Sequence, residues 1–157
     1  MAEHNSPAQP ESATGSLVAV PAISVAVLGW LRLARIYQRI DRASADLMRR
    51  WDLSVAQFDV LNKLGLHEGI TQQELADRLL VTKGNISQLI ARMERRGLIR
   101  RRQAGRAMRL HLTEDGRRLR DKAVPAQEAL VVRHFASLTP DETRALHSLL
   151  RRVDRGG

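Results

Sequence analysis

Residues 71–112 read TQQELADRLLVTKGNISQLIARMERRGLIRRRQAGRAMRLHL and carry the clearest structural pattern of the chain. Its first part predicts two short helices, because Thr71 and Glu74 form a capping-box pattern and Thr82 can cap a second helix. The second helix ends at Gly97, and its apolar residues recur at helical spacing: Ile86, Leu89, Ile90 and Met93. A tight turn therefore joins two short amphipathic helices.

A basic β-hairpin is predicted directly after the second helix. Ile99 and the run Arg100 to Arg102 favour a first strand, and residues 103–106, with the sequence QAGR, favour a turn. The strand returns with apolar residues that alternate with polar ones: Met108, Leu110 and Leu112. Two short helices followed by a basic hairpin have the layout of a winged helix-turn-helix.

The chain before this pair predicts two more helices. No proline occurs from Ala22 to Arg50 and apolar residues recur there at helical spacing, so we expect one long helix. Because this helix is longer than a core of this size needs, part of its apolar stripe should face another chain. Ser54 and Gln57 form a second capping-box pattern, which begins a short helix that ends near Gly65.

Two helices are also predicted after the hairpin. Thr113 is followed by two acidic residues and begins the first of them, which runs to about Phe135 and bends at Pro125. Thr139 and Glu142 form a capping box that begins the last helix. The predicted fold is therefore mainly α with a small β-hairpin wing.

The charge of the chain is concentrated in one segment. The 157 residues carry 26 Lys plus Arg against 17 Asp plus Glu, and residues 70–120 hold 13 of the basic residues but only 5 of the acidic ones. A local basic surface favours a polyanionic partner, either nucleic acid or an anionic membrane surface. The same segment contains no Phe, Trp or Tyr, which argues against single-stranded RNA, whose bases stack on aromatic side chains.

Composition and motifs exclude several classes of protein. The absence of cysteine excludes disulfides and thiolate zinc sites. The longest near-apolar stretch, Leu17 to Leu31, is too short to cross a bilayer, and the residues before it lack the positive charge of a signal peptide. We therefore expect a cytoplasmic protein that does not act on membranes. No nucleotide-binding or catalytic motif occurs, so we expect no enzymatic activity, no cofactor and no metal site.

Residues from about Leu28 to Val153 resemble the multiple-antibiotic-resistance regulator (MarR) family of bacterial winged-helix repressors. The resemblance is carried by the second helix of the pair, which exits through GLI at 97–99, and by three motifs: LSVAQFDVL at 53–61, TQQELA at 71–76 and LTEDG at 112–116. It implies a homodimer whose first and last helices intertwine and whose two lobes lie on successive major grooves of double-stranded DNA. An inverted-repeat operator follows from that symmetry, and a small ligand commonly releases the DNA in this family.

This resemblance and the element order divide the chain into four parts. We predict a flexible tail over residues 1–21, which are rich in Ala, Ser, Pro and Gly, and a dimerisation helix over 22–53. A winged helix-turn-helix DNA-binding lobe is expected over 54–117, followed by C-terminal dimerisation helices over 118–157.

Candidate DNA contacts come from the second helix of the pair and from the hairpin. Small polar side chains on the first turn of such a helix can reach base edges and phosphates, and the resemblance carries five of them over: Thr82, Lys83, Asn85, Ser87 and Gln88. Arg92, Arg101 and Arg102 are predicted to bind phosphates. The resemblance also implies that Arg106 enters the minor groove, although Ala104 stands where the family has an acidic residue that would brace it.

Two further points remain open in the sequence. Trp30 and Trp51 lie near helix boundaries that this family uses for a ligand cleft, and packing in a core or dimer interface is the competing interpretation. The effector, the operator and the choice between repression and activation leave no readable pattern. The main alternative function is a nonspecific basic module that binds RNA or the nucleoid, and the polar first turn of the second helix favours sequence-specific reading instead.

Overall fold

The computed structural model describes residues 24–79 and 83–155. Within these ranges six α-helices and three strands occur: Val25–Met48 (α1), Val55–Leu66 (α2), Ile70–Thr71 (β1), Gln72–Leu79 (α3), Lys83–Arg95 (α4), Ile99–Ala104 (β2), Ala107–Leu112 (β3), Glu114–His134 (α5) and Pro140–Asp154 (α6). One 3-10 turn, Arg49–Trp51, follows α1. The mainly helical fold with a small sheet confirms the predicted fold class. The tail predicted over 1–21 lies outside the described residues.

Capping boxes begin three of the helices as the sequence predicts. In the box of α2, the Ser54 hydroxyl accepts a hydrogen bond from the Gln57 N–H at 3.2 Å, and the Gln57 side chain accepts one from the Ser54 N–H at 2.9 Å. The boxes of α3 and α6 have the same reciprocal bonds, made by Thr71 with Glu74 and by Thr139 with Glu142. Thr82, the predicted cap of α4, lies outside the described residues.

The first helix is shorter than predicted. It begins at Val25, with Ser24 as its N-cap, and ends at Met48, rather than extending from Ala22 to Arg50. The chain then passes through the 3-10 turn into Asp52, whose φ of 54° is left-handed. Aspartate tolerates this conformation better than most residues do, and the reversal ends the helix before α2 begins.

The hairpin turn is also shorter than predicted. The strands pair as far as Ala104 and Ala107, so the turn consists of Gly105 and Arg106 and not of residues 103–106. Gly105 has a φ of 60°, as the first central position of a two-residue type II′ turn requires. Strand β1 was not predicted; it pairs antiparallel with β3 through Ile70 opposite Leu110 and makes a sheet of order β1-β3-β2.

The buried core lies in the winged lobe and is formed by α2 to α4, the sheet, the end of α1 and the inward face of α5. Its fully buried large side chains are Met48, Val60, Leu61, Leu64, Leu75, Ile86, Ile90, Met93, Ile99, Leu110 and Leu112. Residues 25–37 of α1 and all of α6 bury no side chain, and we call these two segments the apolar arms. Their exposed large hydrophobic residues are Val25, Val27, Leu28, Trp30, Leu31, Leu33, Ile36, Tyr37, Leu149, Leu150 and Val153.

The end of α4 is held against the start of α5. Gly97, with a φ of 68°, completes a Schellman motif in which the Leu98 N–H donates to the Met93 carbonyl at 3.0 Å. The Thr113 hydroxyl donates to the Gly97 carbonyl at 2.5 Å and accepts from the Gly116 N–H at 3.0 Å. Because a Cβ on Gly116 would overlap the Leu98 carbonyl oxygen, only glycine allows this close approach.

Candidate nucleic-acid interface

Helix α4 has one buried face and one exposed polar face. Ile86, Ile90 and Met93 are fully buried against the lobe, which fixes the rotation of the helix about its axis. The side chains that point outward include four of those predicted to contact DNA: Asn85, Ser87, Gln88 and Arg92. Of the other two predicted contacts on this helix, Lys83 is described only as the first residue of α4, and Thr82 lies outside the described residues.

A surface hollow of about 330 Å³ lies between α2 and the polar face of α4. Gln88, Leu89 and Arg92 form one wall, and Ala56 and Asp59 form part of the other. Burial raises the pKa of the Asp59 carboxyl, and the nearby Lys63 ammonium opposes that shift. The polar residues of α4 therefore stand beside a half-buried acid.

The outer face of the hairpin is basic. Cross-strand pairing places Arg100 opposite His111 and Arg102 opposite Arg109, and all four side chains point away from the core. Like charges placed directly opposite one another, as Arg102 and Arg109 are, destabilise a sheet. Arg109 is held in place because its guanidinium donates to the Gly69 carbonyl at 2.7 Å.

Arg101 lies on the other face of the hairpin, with an acidic partner. The Arg101 guanidinium is 3.3 Å from the Glu94 carboxylate, and the backbone N–H of Arg101 donates to the same carboxylate at 3.3 Å. This pair joins the start of the wing to the last turn of α4. Arg101 and Arg102, for which the sequence predicts the same role, thus occupy opposite faces, and no hydrogen bond or ion pair of Arg102 is found within the described residues.

The wing tip is braced by an amide and not by an acid. The Gln103 side chain donates to the Gly105 carbonyl at 2.8 Å, which fixes the backbone of the turn. Arg106 follows at the tip with an exposed side chain. The missing acid at Ala104 is evident in the sequence, but Gln103 was not predicted as the residue that braces the turn.

The base of the wing carries an ion-pair cluster centred on Glu68. The Arg117 guanidinium donates to Glu68 at 2.6 Å, and this hydrogen bond lowers the pKa of the Glu68 carboxyl. The His111 ring nitrogen is 3.7 Å from the same carboxylate. The cluster ties the loop before β1 to β3 and α5.

The two tryptophans lie far apart within the chain. Trp30 is 66% exposed in the arm of α1, whereas Trp51 is half-buried in the 3-10 turn and packs against the core. The helix from Trp30 to Met48 spans about 27 Å at 1.5 Å per residue, so one chain does not bring both rings to one site.

Two features are absent from the described residues. No three His, Asp or Glu side chains within residues 24–79 and 83–155 come together in a group that could hold a metal ion. In the same part of the chain, no helix is both long and apolar enough to cross a membrane.

The exposed face of α4 next to a basic hairpin defines a winged helix-turn-helix protein of the DNA-binding type. The MarR family model matches residues 51–109 of the chain. An HTH-type transcriptional regulator from Bacillus cereus is 35% identical over 133 residues, which cover 84% of this chain and 90% of that protein. The chain belongs to the MarR family, and the prediction of a DNA-binding transcriptional regulator is confirmed.

Solved structures show the same fold. A cysteine-to-serine mutant of MarR from E. coli in complex with operator DNA has a TM-score of 0.73 at 27% identity, covering 81% of this chain and 93% of that one. BpsR from Bordetella bronchiseptica, whose DNA binding is regulated by 6-hydroxynicotinic acid, has a TM-score of 0.73 at 27% identity, covering 82% of this chain and 98% of that one.

Proposed function

We propose that this protein is a homodimeric repressor that binds an inverted-repeat operator in double-stranded DNA and leaves it when a small ligand binds. It works by binding, without a catalytic step, in the cytoplasm, where bacterial DNA lies. The observation that carries the proposal is the division of α4 into a buried apolar face and an exposed polar face beside the basic wing. The apolar arms support the homodimer, since exposed apolar stripes of this size need a partner.

We assign the DNA contacts by the position of each side chain. Residues of the first two turns of α4 read bases and nearby phosphates, namely Thr82, Lys83, Asn85, Ser87 and Gln88. Arg92, Arg101 and Arg102 bind phosphates, with Arg102 more available for this role because Arg101 is paired with Glu94, and Arg106 enters the minor groove at the wing tip. The E. coli MarR mutant solved with operator DNA supports duplex DNA as the partner of this surface.

Selection of genomic fragments by the purified protein at near-physiological salt tests the function. We expect retained fragments to share an inverted repeat whose half-site centres are about 10 base pairs apart, one helical turn. Equal retention of unrelated fragments would instead establish the nonspecific nucleic-acid-binding module.

A pair of substitutions then separates base reading from phosphate binding. Gln88→Ala should cost about 1–3 kcal/mol on the operator and little on random DNA, because it removes a base contact. Arg102→Ala should weaken binding to both and reduce the salt dependence, because phosphate contacts release counterions regardless of sequence. Equal losses on operator and random DNA for both variants would contradict the assignment.

We keep Trp30 and Trp51 as candidate effector contacts. The chain has only these two tryptophans, so Trp30→Phe leaves Trp51 as the only tryptophan fluorophore, and Trp51→Phe leaves Trp30. Titration with 6-hydroxynicotinic acid should change the fluorescence of at least one of these variants. No change in either variant, while the ligand still releases operator DNA, would place the effector elsewhere.

A further inference from the structure

The corner between α1 and α2 is built around a strained aspartate. Asp52 is the one non-glycine residue with a positive φ among the described residues, and its N–H donates to the Arg49 carbonyl at 3.1 Å. Its side chain is 96% exposed, so packing does not hold it in this conformation. A left-handed residue of this kind persists when its surroundings fix it.

Arg96 supplies such a contact from the far end of α4. One guanidinium nitrogen donates to the Asp52 carbonyl at 2.6 Å and lies 3.4 Å from the Gln57 side-chain oxygen, and the other is 3.2 Å from the Asp52 carboxylate. The fork of the guanidinium thus joins the corner to the capping box of α2. Lysine, a point charge on a flexible stem, does not bridge all three acceptors in this way.

The contact of Arg96 with Asp52 links the ends of two different helices. Arg96 directly follows the last residue of α4 and precedes Gly97, so it moves with the recognition helix. Asp52 directly follows the 3-10 turn at the end of α1, and the first half of that helix is one of the apolar arms. The contact therefore joins the end of α4 to the end of α1, the helix that is expected to form part of the dimer interface.

We propose that Arg96 is a positioning residue that links α4 to the end of α1. It thereby determines which spacing between operator half-sites the dimer accepts. The inference rests on the proposed homodimeric binding to an inverted repeat. In a symmetric dimer, any rotation of a lobe relative to its own α1 occurs twice, so the separation of the two α4 helices varies by twice the displacement of one. Adding one base pair between half-sites rotates one about 35° around the DNA relative to the other, which a tightly held pair of helices rejects.

The tie should affect geometry more than stability. An ion pair with so exposed a partner contributes little to folding, so its loss should leave the unfolding transition almost unchanged. A merely structural arginine would show the opposite result, with a lower unfolding temperature and an unchanged spacing preference.

The first experiment measures the separation of the α4 helices without DNA. Because the chain has no cysteine, Ser87→Cys places a single spin label on the exposed face of α4 in each protomer, and double electron–electron resonance gives the distance between them. We expect Arg96→Ala to widen the distance distribution about twofold, because each lobe then moves more freely and symmetry applies that motion at both labels. Arg95→Ala is the matched control, since it removes the same charge one residue earlier from an exposed side chain that makes no hydrogen bond or ion pair among the described residues.

The second experiment measures the spacing preference on DNA. Affinity is compared for operators with identical half-sites whose centres are moved closer or farther apart by one base pair. We expect Arg96→Ala to reduce the preference for the native spacing by about threefold or more. A single mismatched base pair typically lowers affinity by more than threefold. Arg96→Lys and Asp52→Asn keep more of the tie and should give smaller reductions, and they replace Arg96→Ala if that variant does not fold.

The outcomes are distinguishable. If Arg96→Ala and Arg95→Ala give the same distance distributions and lose affinity equally at every spacing, Arg96 is only a phosphate contact and the inference is wrong. If the wild type shows no spacing preference at all, the proposal of binding to an inverted repeat is wrong. The spin-label distances alone then decide whether Arg96 links α4 to the end of α1.

Discussion

The winged lobe buries its large apolar side chains, whereas the apolar arms leave theirs exposed. The lobe buries its large apolar side chains within one chain, and residues such as Leu64 and Met93 have no exposed surface. The arms carry a similar number of apolar side chains and bury none of them, although α6 begins with as complete a capping box as α2 does. Local helix signals are thus equally strong in both regions.

The difference shows that burial, not helix formation, separates the two regions. A helix gains most of its stability from packing of its apolar face, so the arms need a surface that this chain alone does not supply. The lobe should therefore respond to substitutions independently of protein concentration, whereas the arms should respond in a concentration-dependent way. Four predictions test this contrast.

The largest effect is expected from truncation of the lobe core. Leu64→Ala should lower the free energy of unfolding by about 2–5 kcal/mol, through lost burial and the cavity that remains. Leu149→Ala in α6, where the side chain is 56% exposed, should instead raise the dimer dissociation constant. Urea unfolding at several protein concentrations measures both. Equal, concentration-independent losses would show that the arms are not an interface.

The next effect concerns the close contact between α5 and the end of α4. Gly116→Ala should cost about 1–3 kcal/mol, because the added Cβ overlaps the Leu98 carbonyl and the backbone must shift. Gly84→Ala on α4 is the control, since a Cβ added there would meet nothing within 4 Å and alanine favours helix. Thermal unfolding compares them, and a stable Gly116→Ala variant would show that this contact is loose.

Removal of one N-cap in the lobe and one in α6 compares the two regions with matched substitutions. Ser54→Ala and Thr139→Ala each remove one side-chain acceptor from a helix start, at a cost of about 0.5–2 kcal/mol. The loss at Ser54 should appear as a less stable lobe, and the loss at Thr139 as weaker dimerisation in analytical ultracentrifugation. Weaker dimerisation from Ser54→Ala alone would reverse the roles given to the two regions.

The smallest effect is expected from the half-buried acid of the lobe. Burial raises the pKa of Asp59 in the folded state, so its charge costs stability above that pKa, and the cost disappears as the pH falls below the ordinary value of 3.8. Asp59→Asn should therefore be more stable than the wild type at neutral pH and should lose this advantage in acid. Asp154→Asn, at the exposed end of α6, is the control. A neutral-pH loss of stability in Asp59→Asn would mean that its charge is needed.

Features set by neighbours in sequence could be predicted from the sequence. The three capping boxes need residues only three positions apart, and the glycine at 97 ends α4 through bonds to the turn just before it. The inward face of α4 followed from helical spacing alone. The candidate DNA contacts on that helix were accordingly placed on its exposed side.

Features that depend on distant residues could not be predicted in the same way. Strand β1 has two residues and exists because Ile70 meets Leu110, forty positions away. The Arg96 contact joins it to Asp52, whose left-handed backbone has no sequence signal of its own. Alternation along a strand is enough to place Arg101 and Arg102 on different faces. The ion pair of Arg101 with Glu94, however, could be seen only in the folded structure.

The wing has a thermodynamic consequence that follows from its short turn. Its strands pair up to the two-residue turn, and Gln103 fixes the turn backbone, so folding has already restricted the chain conformations there. Little backbone entropy is left to lose when the wing meets DNA. The remaining loss belongs to the side chain of Arg106, about 1.5–2 kcal/mol of rotamer freedom for an arginine. Docking of the wing therefore depends on whether one guanidinium finds enough favourable contacts to exceed that single entropic cost.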